Sequence, residues 1–453
     1  MRKWLRLQDA AGVDVLHDAQ NTQRRGLRGL PARVRNTWRR ARGEQDFSHQ
    51  VYDAMAGCLA CKSCAGQCPV KVNVPEFRSR FLELYHGRYL RPLKDYFIGS
   101  LEFTIPTLAR AAGVYNAIMR NRTVARLLER TAGMVDSPLI ASADFNAALS
   151  RYDVRPATAF TLRALSPEER TRTVVLVQDA FTRYFETQLA IDWIELATRL
   201  GWKVYLAPFK ANGKPLQVQG FLSAFERTAR RNAETLSALS AYGVPLVGLD
   251  PAMTLVYRQE YAKLLGDQAP QVMLPQEWLA SLPQAEDAAE RSAQAPFHLL
   301  AHCTEKTNAP AAVGLWQTVF ARHGLSLTVA NSGCCGMSGT YGHEARNVET
   351  SKIIYAQSWD AIVQRHPATL TDTSSSGASQ ASAMQRANAA PVAAADTAPA
   401  FSPVLLADGY SCRSQVDRLA GRTLSHPLQA LLEVLRTRSN QSKPWKLESS
   451  GPI

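Results

Sequence analysis

Cys58-Leu-Ala-Cys61-Lys-Ser-Cys64-Ala-Gly-Gln-Cys68-Pro69 packs four of the chain's eight cysteines into eleven residues. The spacing C-x2-C-x2-C-x3-C-P is one that wraps thiolates around a [4Fe–4S] cluster. Two-residue gaps in a tight turn aim successive sulfurs inward. Gly66 lets the chain pass close to an inorganic core, and Pro69 redirects it afterwards. Cys58, Cys61 and Cys64 are therefore candidate ligands of a first cluster. Two readings of Cys68 stay open, because the cysteine before such a proline can serve a different cluster and the motif occurs once here. It closes the same cluster or ligates nothing. The competing readings of the run are a zinc knuckle and a disulfide loop. Zinc sites more often separate two C-x2-C pairs or mix in histidines.

Outward from this loop the texture is helical. Phe77, Phe81, Leu84 and Tyr85 recur at helical spacing after Val74-Pro75-Glu76, a helix start. A helix there would shield the cysteine loop or pack on a core. Before the loop lies a basic lead-in: residues 1–46 hold 11 Lys/Arg against 5 Asp/Glu, in a chain of net charge +13. Arg24-Arg25, Arg28, Arg33, Arg35, Arg39-Arg40 and Arg42 come with no helix-turn-helix, finger histidines or stacking aromatics beyond Trp38, so no nucleic-acid partner is expected. A solvated or partner-facing linker is expected instead.

From about residue 170 strands alternate with helices. Thr173–Val177, Lys203–Ala207 and Val244–Leu249 read as buried strands, with amphipathic helices over about 187–200 and 221–241 between them. The order then repeats with Phe297–Cys303, Leu325–Val329 and Val404–Asp408. Such alternation predicts parallel sheets with right-handed crossovers and an internal duplication. Residues 366–402, rich in Ala, Ser and Thr and without periodicity, read as a disordered insertion.

All four remaining cysteines, Cys303, Cys334, Cys335 and Cys412, fall in the second copy, each where a strand ends. Loops at the carboxyl edge of a parallel sheet converge, so these thiols are expected to meet as a second centre. His302, His343 and Arg413 flank them, as ligands, as tuning groups, or as ordinary loop residues and ion pairs.

Asn331-Ser-Gly-Cys334-Cys335-Gly336-Met-Ser-Gly resembles the CCG motif of a cysteine-rich domain family. That family includes heterodisulfide reductase subunits, glycerol-3-phosphate dehydrogenase subunits and glycolate oxidase iron–sulfur subunits. Cys303, Cys334, Cys335 and Cys412 match four of the family's five cysteines, and Gly409 stands at the fifth position. In the first copy Asp179 aligns with Cys303, Ala211-Asn212-Gly213 with Cys334-Cys335-Gly336, and Met253 with Cys412. One cysteine loop plus a duplicated domain with one intact CCG half is similar to the iron–sulfur, C-terminal portion of FAD-linked oxidase fusions of the D-2-hydroxyglutarate and D-lactate dehydrogenase type.

The resemblance implies an α+β multidomain chain. A basic N-terminal linker (1–46) would precede a helical ferredoxin-like [4Fe-4S] domain (47–165). A duplicated α/β (parallel-sheet) cysteine-rich domain would follow, as a first half without cysteines (166–290) and a second with the insertion (291–437), then a tail (438–453). It implies electron transfer through a [4Fe-4S] cluster and a second centre, from the flavin of an FAD-linked oxidase flavoprotein to a quinone or other carrier. The FAD itself is expected in a partner or in a missing N-terminal half. The alternative is a heterodisulfide reductase-like thiol/disulfide enzyme using the CCG centre; a scaffold with zinc or vestigial cysteines is a third. With no apolar run near the length of a membrane span and no signal peptide, a cytoplasmic protein is expected, with peripheral association at the inner face of a membrane as a further expectation.

Overall fold

The structure, a computed structural model, describes residues 2–10, 12, 14, 15, 17, 26–43, 46–70, 72–283, 296–366 and 403–441. The insertion expected over 366–402 lies outside the described residues except for His366, as does the tail from 442 onward.

Helices dominate the first third: α1 (Arg2–Ala10), α2 (Leu30–Ala41), α3 (Phe47–Ala56), α4 (Ser63–Gln67), α5 (Val74–Arg88) and α6 (Leu93–Leu108). Where a linker was expected, α1 and α2 are folded elements. Trp4 is buried, meets Phe81 edge-on at 5.1 Å and donates to Ser48 Oγ at 2.9 Å. The α5 stripe packs as a core: Phe81 and Tyr85 are buried with Trp4 and Tyr89. Asn73 caps α5 by accepting from the Glu76 amide at 3.0 Å, and Pro75 sits in the first turn, where its missing N–H costs nothing.

Among the described residues seven strands make two parallel sheets. The first runs in the order β1 (Arg155–Pro156), β3 (Lys203–Leu206), β2 (Thr173–Val177), β4 (Leu246–Gly248). The second runs β6 (Leu327–Val329), β5 (Phe297–Leu300), β7 (Val404–Ala407). Leaving aside the edge pair β1, each sheet places its first strand centrally, its second on one side and its third on the other. Every pairing is parallel. β2, Thr-Val-Val-Leu-Val, is buried at all five positions, as a strand covered on both faces requires.

The helices α7 (Thr187–Arg199), α8 (Leu222–Ser240), α9 (Pro275–Ser281), α10 (Cys303–Asn308), α11 (Pro310–Arg322), α12 (Tyr410–Ala420) and α13 (Pro427–Gln441) cover these sheets. One apolar core joins them: Val174, Trp193 and Val247 of the first sheet and its helix pack with Trp278, Phe297, Trp316, Leu406 and Leu431. Among the described residues no helix is long and apolar enough to cross a membrane.

Candidate metal centres at two cysteine loops

The first cysteine group occupies the turn between α3 and α5. The Cys58 amide closes the end of α3 by donating to Met55 O at 3.1 Å, and Cys68 N donates to Cys64 O at 3.1 Å. Between them Ala60 and Lys62 adopt left-handed backbone, φ 56° and 63°. Residues with a Cβ rarely do so, and such strain gathers at ligand-holding turns. Burial pushes the Cys58 thiol up. The Lys62 side chain runs inward to the first half, where its Nζ lies 2.8 Å from Glu260 Oε1, which Lys214 also meets at 2.7 Å. Burial brings Lys62 down to about 8; against the upward push of burial on Glu260, the two ammonium groups hold that carboxyl at about 2.

The second group assembles at the carboxyl edge of the second sheet. Cys303 opens α10 just beyond β5, Cys334 and Cys335 follow β6, and Cys412 lies in the first turn of α12 beyond β7. Their thiols follow one another as a run of interacting neighbours, Cys303 with Cys334, Cys334 with Cys335, and Cys335 with Cys412, and the Gly336 amide lies 3.4 Å from Cys334 Sγ. The neighbouring Cys303 and Cys335 thiols hold Cys334 down, while the Cys334 thiol and burial push Cys303 and Cys335 up. Gly336, at φ +85°, belongs to the turn that holds this run. A Cβ there would stand 2.2 Å from Ser351 O, so only glycine fits.

Two carboxylates around this group carry no sequence signal of their own. Asp408 Oδ1 accepts the His302 amide at 2.7 Å, fixing the approach to Cys303. Glu305, fully buried, accepts from Gln276 Nε2 and is pushed well up by burial first and by the neighbouring Asp408 second. His302 fills the space of the absent fifth cysteine: a Cβ on Gly409 would stand 2.2 Å from His302 Cδ2. Arg413 is a buried ion-pair partner of Glu186, with Nε–Oε1 at 2.7 Å. His343, held down to about 4 by burial and then by Arg418, has Nδ1 3.2 Å from Val135 O and ties the loop to the helical region.

At the corresponding strand ends of the first sheet there are no thiols, and two buried carboxyls, Asp179 and Glu102, lie at the turns. Two residues beyond β2, Asp179 caps the next turn by accepting from Phe181 N at 2.8 Å and Thr182 N at 3.0 Å. His302, two residues beyond β5, likewise accepts from Thr304 N. The Asn212-Gly213 turn, counterpart of Cys335-Gly336, turns its amides onto Glu102 of α6, at 3.2 and 2.8 Å. Asp179 lies near enough to act on Glu102, and burial raises both carboxyls to about 7.

The two cysteine loops meet. α4 packs on α10, with Ser63 Oγ 3.4 Å from Thr307 Oγ1. Ser338, beyond Cys335, donates to the carbonyl of Leu59, between Cys58 and Cys61. Charge on Cys61 is felt at Cys303. Among the described residues no three His, Cys, Asp or Glu side chains converge tightly enough to hold one metal ion. A four-iron cluster binds each thiolate through a different iron, so its ligands surround a body rather than a point. The donor chemistry fits that body: each of the eight cysteines stands outside any disulfide, and soft thiolates favour iron–sulfur clusters.

Over 96% of its length the chain is 58% identical to D-2-hydroxyglutarate dehydrogenase of Pseudomonas putida, and it spans 39% of that protein. It is 41% identical to D-2-hydroxyglutarate dehydrogenase of Escherichia coli over 96% of the chain and 40% of the relative. A 192-residue stretch is 27% identical to one of the subunits of the anaerobic glycerol-3-phosphate dehydrogenase of Escherichia coli, with 40% of this chain and 48% of that relative matched. The chain thus spans about two fifths of the length of the D-2-hydroxyglutarate dehydrogenases it matches. No protein-family model and no solved structure matches it.

Proposed function

We propose that this chain is the iron–sulfur electron-transfer part of a 2-hydroxyacid oxidoreductase of the D-2-hydroxyglutarate type. One observation carries the reading: two groups of four cysteines, outside any disulfide, come together at one joint in a chain 58% identical to such a dehydrogenase over 96% of its length. Cys58, Cys61, Cys64 and Cys68 would hold a first [4Fe–4S] cluster in a ferredoxin-like helical region. Cys303, Cys334, Cys335 and Cys412 would hold a second in the cysteine-bearing half of a duplicated α/β domain; the matching strand order of the two sheets supports that duplication. Such clusters, when bound, accept and release single electrons. The protein's own residues hold the first group in a turn between helices, set the second group beyond strand ends and exclude water around Cys335 and Cys412. Flavin chemistry on the hydroxy acid would belong to a partner or to sequence outside these 453 residues. A quinone or another carrier would accept the electrons, and a lipid-dissolved acceptor would call for peripheral association with the inner face of a membrane.

A second reading has its own support, since the Gly336 amide lies 3.4 Å from Cys334 Sγ, a contact that favours the thiolate form. It predicts reduction of a disulfide substrate, with dithionite as the electron donor, by the chain with no flavoprotein present. The discriminating experiment is purification without oxygen followed by iron, sulfide and zinc analysis with the visible spectrum. About eight irons per chain, as two four-iron clusters require, are expected. Zinc without colour would overturn the electron-transfer reading.

A further inference from the structure

We propose that Gly66 and Thr307 are positioning residues that hold the two cysteine loops in direct contact and so set the distance an electron crosses between the two centres. This inference rests on the cluster reading above.

Gly66 lies inside α4, between Cys64 and Cys68, and its backbone is not in the left-handed region. Glycine there supplies no special turn and is a poorer helix former than alanine. What requires it is space. A Cβ on Gly66 would stand 2.6 Å from Thr307 Cγ2 and 3.3 Å from Thr307 O. Any larger residue must displace Thr307, its Cγ2 first and then its carbonyl on α10, and α10 begins at Cys303.

Both helices are short and both carry ligand cysteines, Cys64 as the second residue of α4 and Cys303 as the first of α10. Contact between the helices is therefore contact between the centres. Two further points keep the joint from pivoting. Ser63 Oγ faces Thr307 Oγ1 at 3.4 Å, and Ser338 reaches from the Cys334-Cys335 loop to the Leu59 carbonyl. On the far side of the first loop, Lys62 anchors it to Glu260 at 2.8 Å.

The step served is a one-electron transfer. One centre is oxidised by one electron, the other is reduced by the same electron, no bond forms or breaks, and no proton moves. A reduced flavin is the reductant upstream and a quinone the oxidant downstream. Because tunnelling weakens steeply with distance, a joint that fixes the separation fixes the rate.

The test uses the whole chain, purified without oxygen and reduced with dithionite, with iron per chain and the electron paramagnetic resonance spectrum as readouts. Iron-replete wild type should show spin–spin splitting between its two reduced centres. Gly66→Ala should keep its iron and lose much of that splitting. Gly66→Ala with Thr307→Ala removes the Cγ2 in the way and should restore it. Thr307→Trp opens the joint from the α10 side without touching the cysteine motif, and should weaken the splitting even if Gly66→Ala fails to take up iron. Iron-replete wild type without splitting, or Gly66→Ala and Thr307→Trp spectra like wild type, would overturn the inference while leaving the clusters in place. Wild type without iron would instead overturn the cluster reading, and the inference with it.

Discussion

His302 and Gly409 show how far single residues decide the second cysteine group. The ring of His302 occupies the position a Cβ on Gly409 would need, at 2.2 Å. Its Nδ1 also accepts from Thr304 N at 3.2 Å, and Ser411 Oγ lies 3.4 Å from Nε2. Restoring a fifth cysteine by Gly409→Cys should therefore cost about 1–3 kcal/mol, as overpacking of a filled site does. Gly409→Cys with His302→Ala should recover most of that loss, less the cap at Thr304. Urea denaturation of the three variants measures it; a Gly409→Cys chain as stable as wild type would show that the ring moves aside freely. The eight cysteines and the departure at Gly409 stand in the sequence, because ligand spacing and the CCG pattern are local. That His302 is the reason for the departure is not legible there, since it depends on β5 and β7 lying side by side. Asp408 and Glu305 escaped for the same cause: a lone acid just past a strand, or in a short helix, reads as a surface residue until its burial is known.

At the scale of elements, α6 has a role that no local pattern announces. Its Glu102 crosses to the first half and receives the Asn212 and Gly213 amides, occupying the turn that in the second half carries Cys334-Cys335. Its Lys94 pairs with Glu344 of the second half. One helix thus touches both halves, and it reads as an ordinary apolar helix because its polar residues are spaced to different neighbours. Burial raises Glu102 to about 7 from an ordinary 4.5. A raised carboxyl favours its neutral form in the fold, so its contribution is whole below pH 4.5 and is lost as pH rises through 7. The difference is on the order of 3 kcal/mol. Glu102→Gln should flatten this part of the decline in stability between pH 4.5 and 7. At about pH 5 it should lose about 1 kcal/mol for the second acceptor oxygen. Asp179, also raised to about 7, by burial and then Asp250, leaves a residual slope in the variant. Denaturation midpoints of the two proteins at about pH 5 and about pH 8, on either side of the raised value, decide it. Parallel pH profiles would remove Glu102 from the account.

For the whole molecule the question is whether two parallel sheets of like strand order behave as two domains or one. Strand positions were legible because buried β-branched runs such as Thr173–Val177 are unambiguous, and β2 occupies those five residues. The partner of each covering helix was not, because periodicity shows which face is buried and never what lies opposite. The structure places α7, α9, α11 and α13 in one core spanning both sheets, with Trp193, Trp278, Trp316 and Leu431 almost wholly buried in it. At its rim Arg436 of α13 meets Glu195 of α7 at 2.7 Å, and Arg436 is the main reason the Glu195 carboxyl is held at about 2. Sheets that share a core cannot melt separately without exposing that apolar surface, at roughly 25 cal/mol for each Å². Leu431→Ala should accordingly destabilise the chain by about 2–5 kcal/mol, the range for a buried leucine that leaves a cavity. The amides of β2 and of β5 should then exchange faster by the same factor, although Leu431 lies in the second half. Hydrogen exchange read strand by strand separates the outcomes: equal acceleration makes the two sheets one cooperative unit, and acceleration confined to β5, β6 and β7 would make them independent domains in contact.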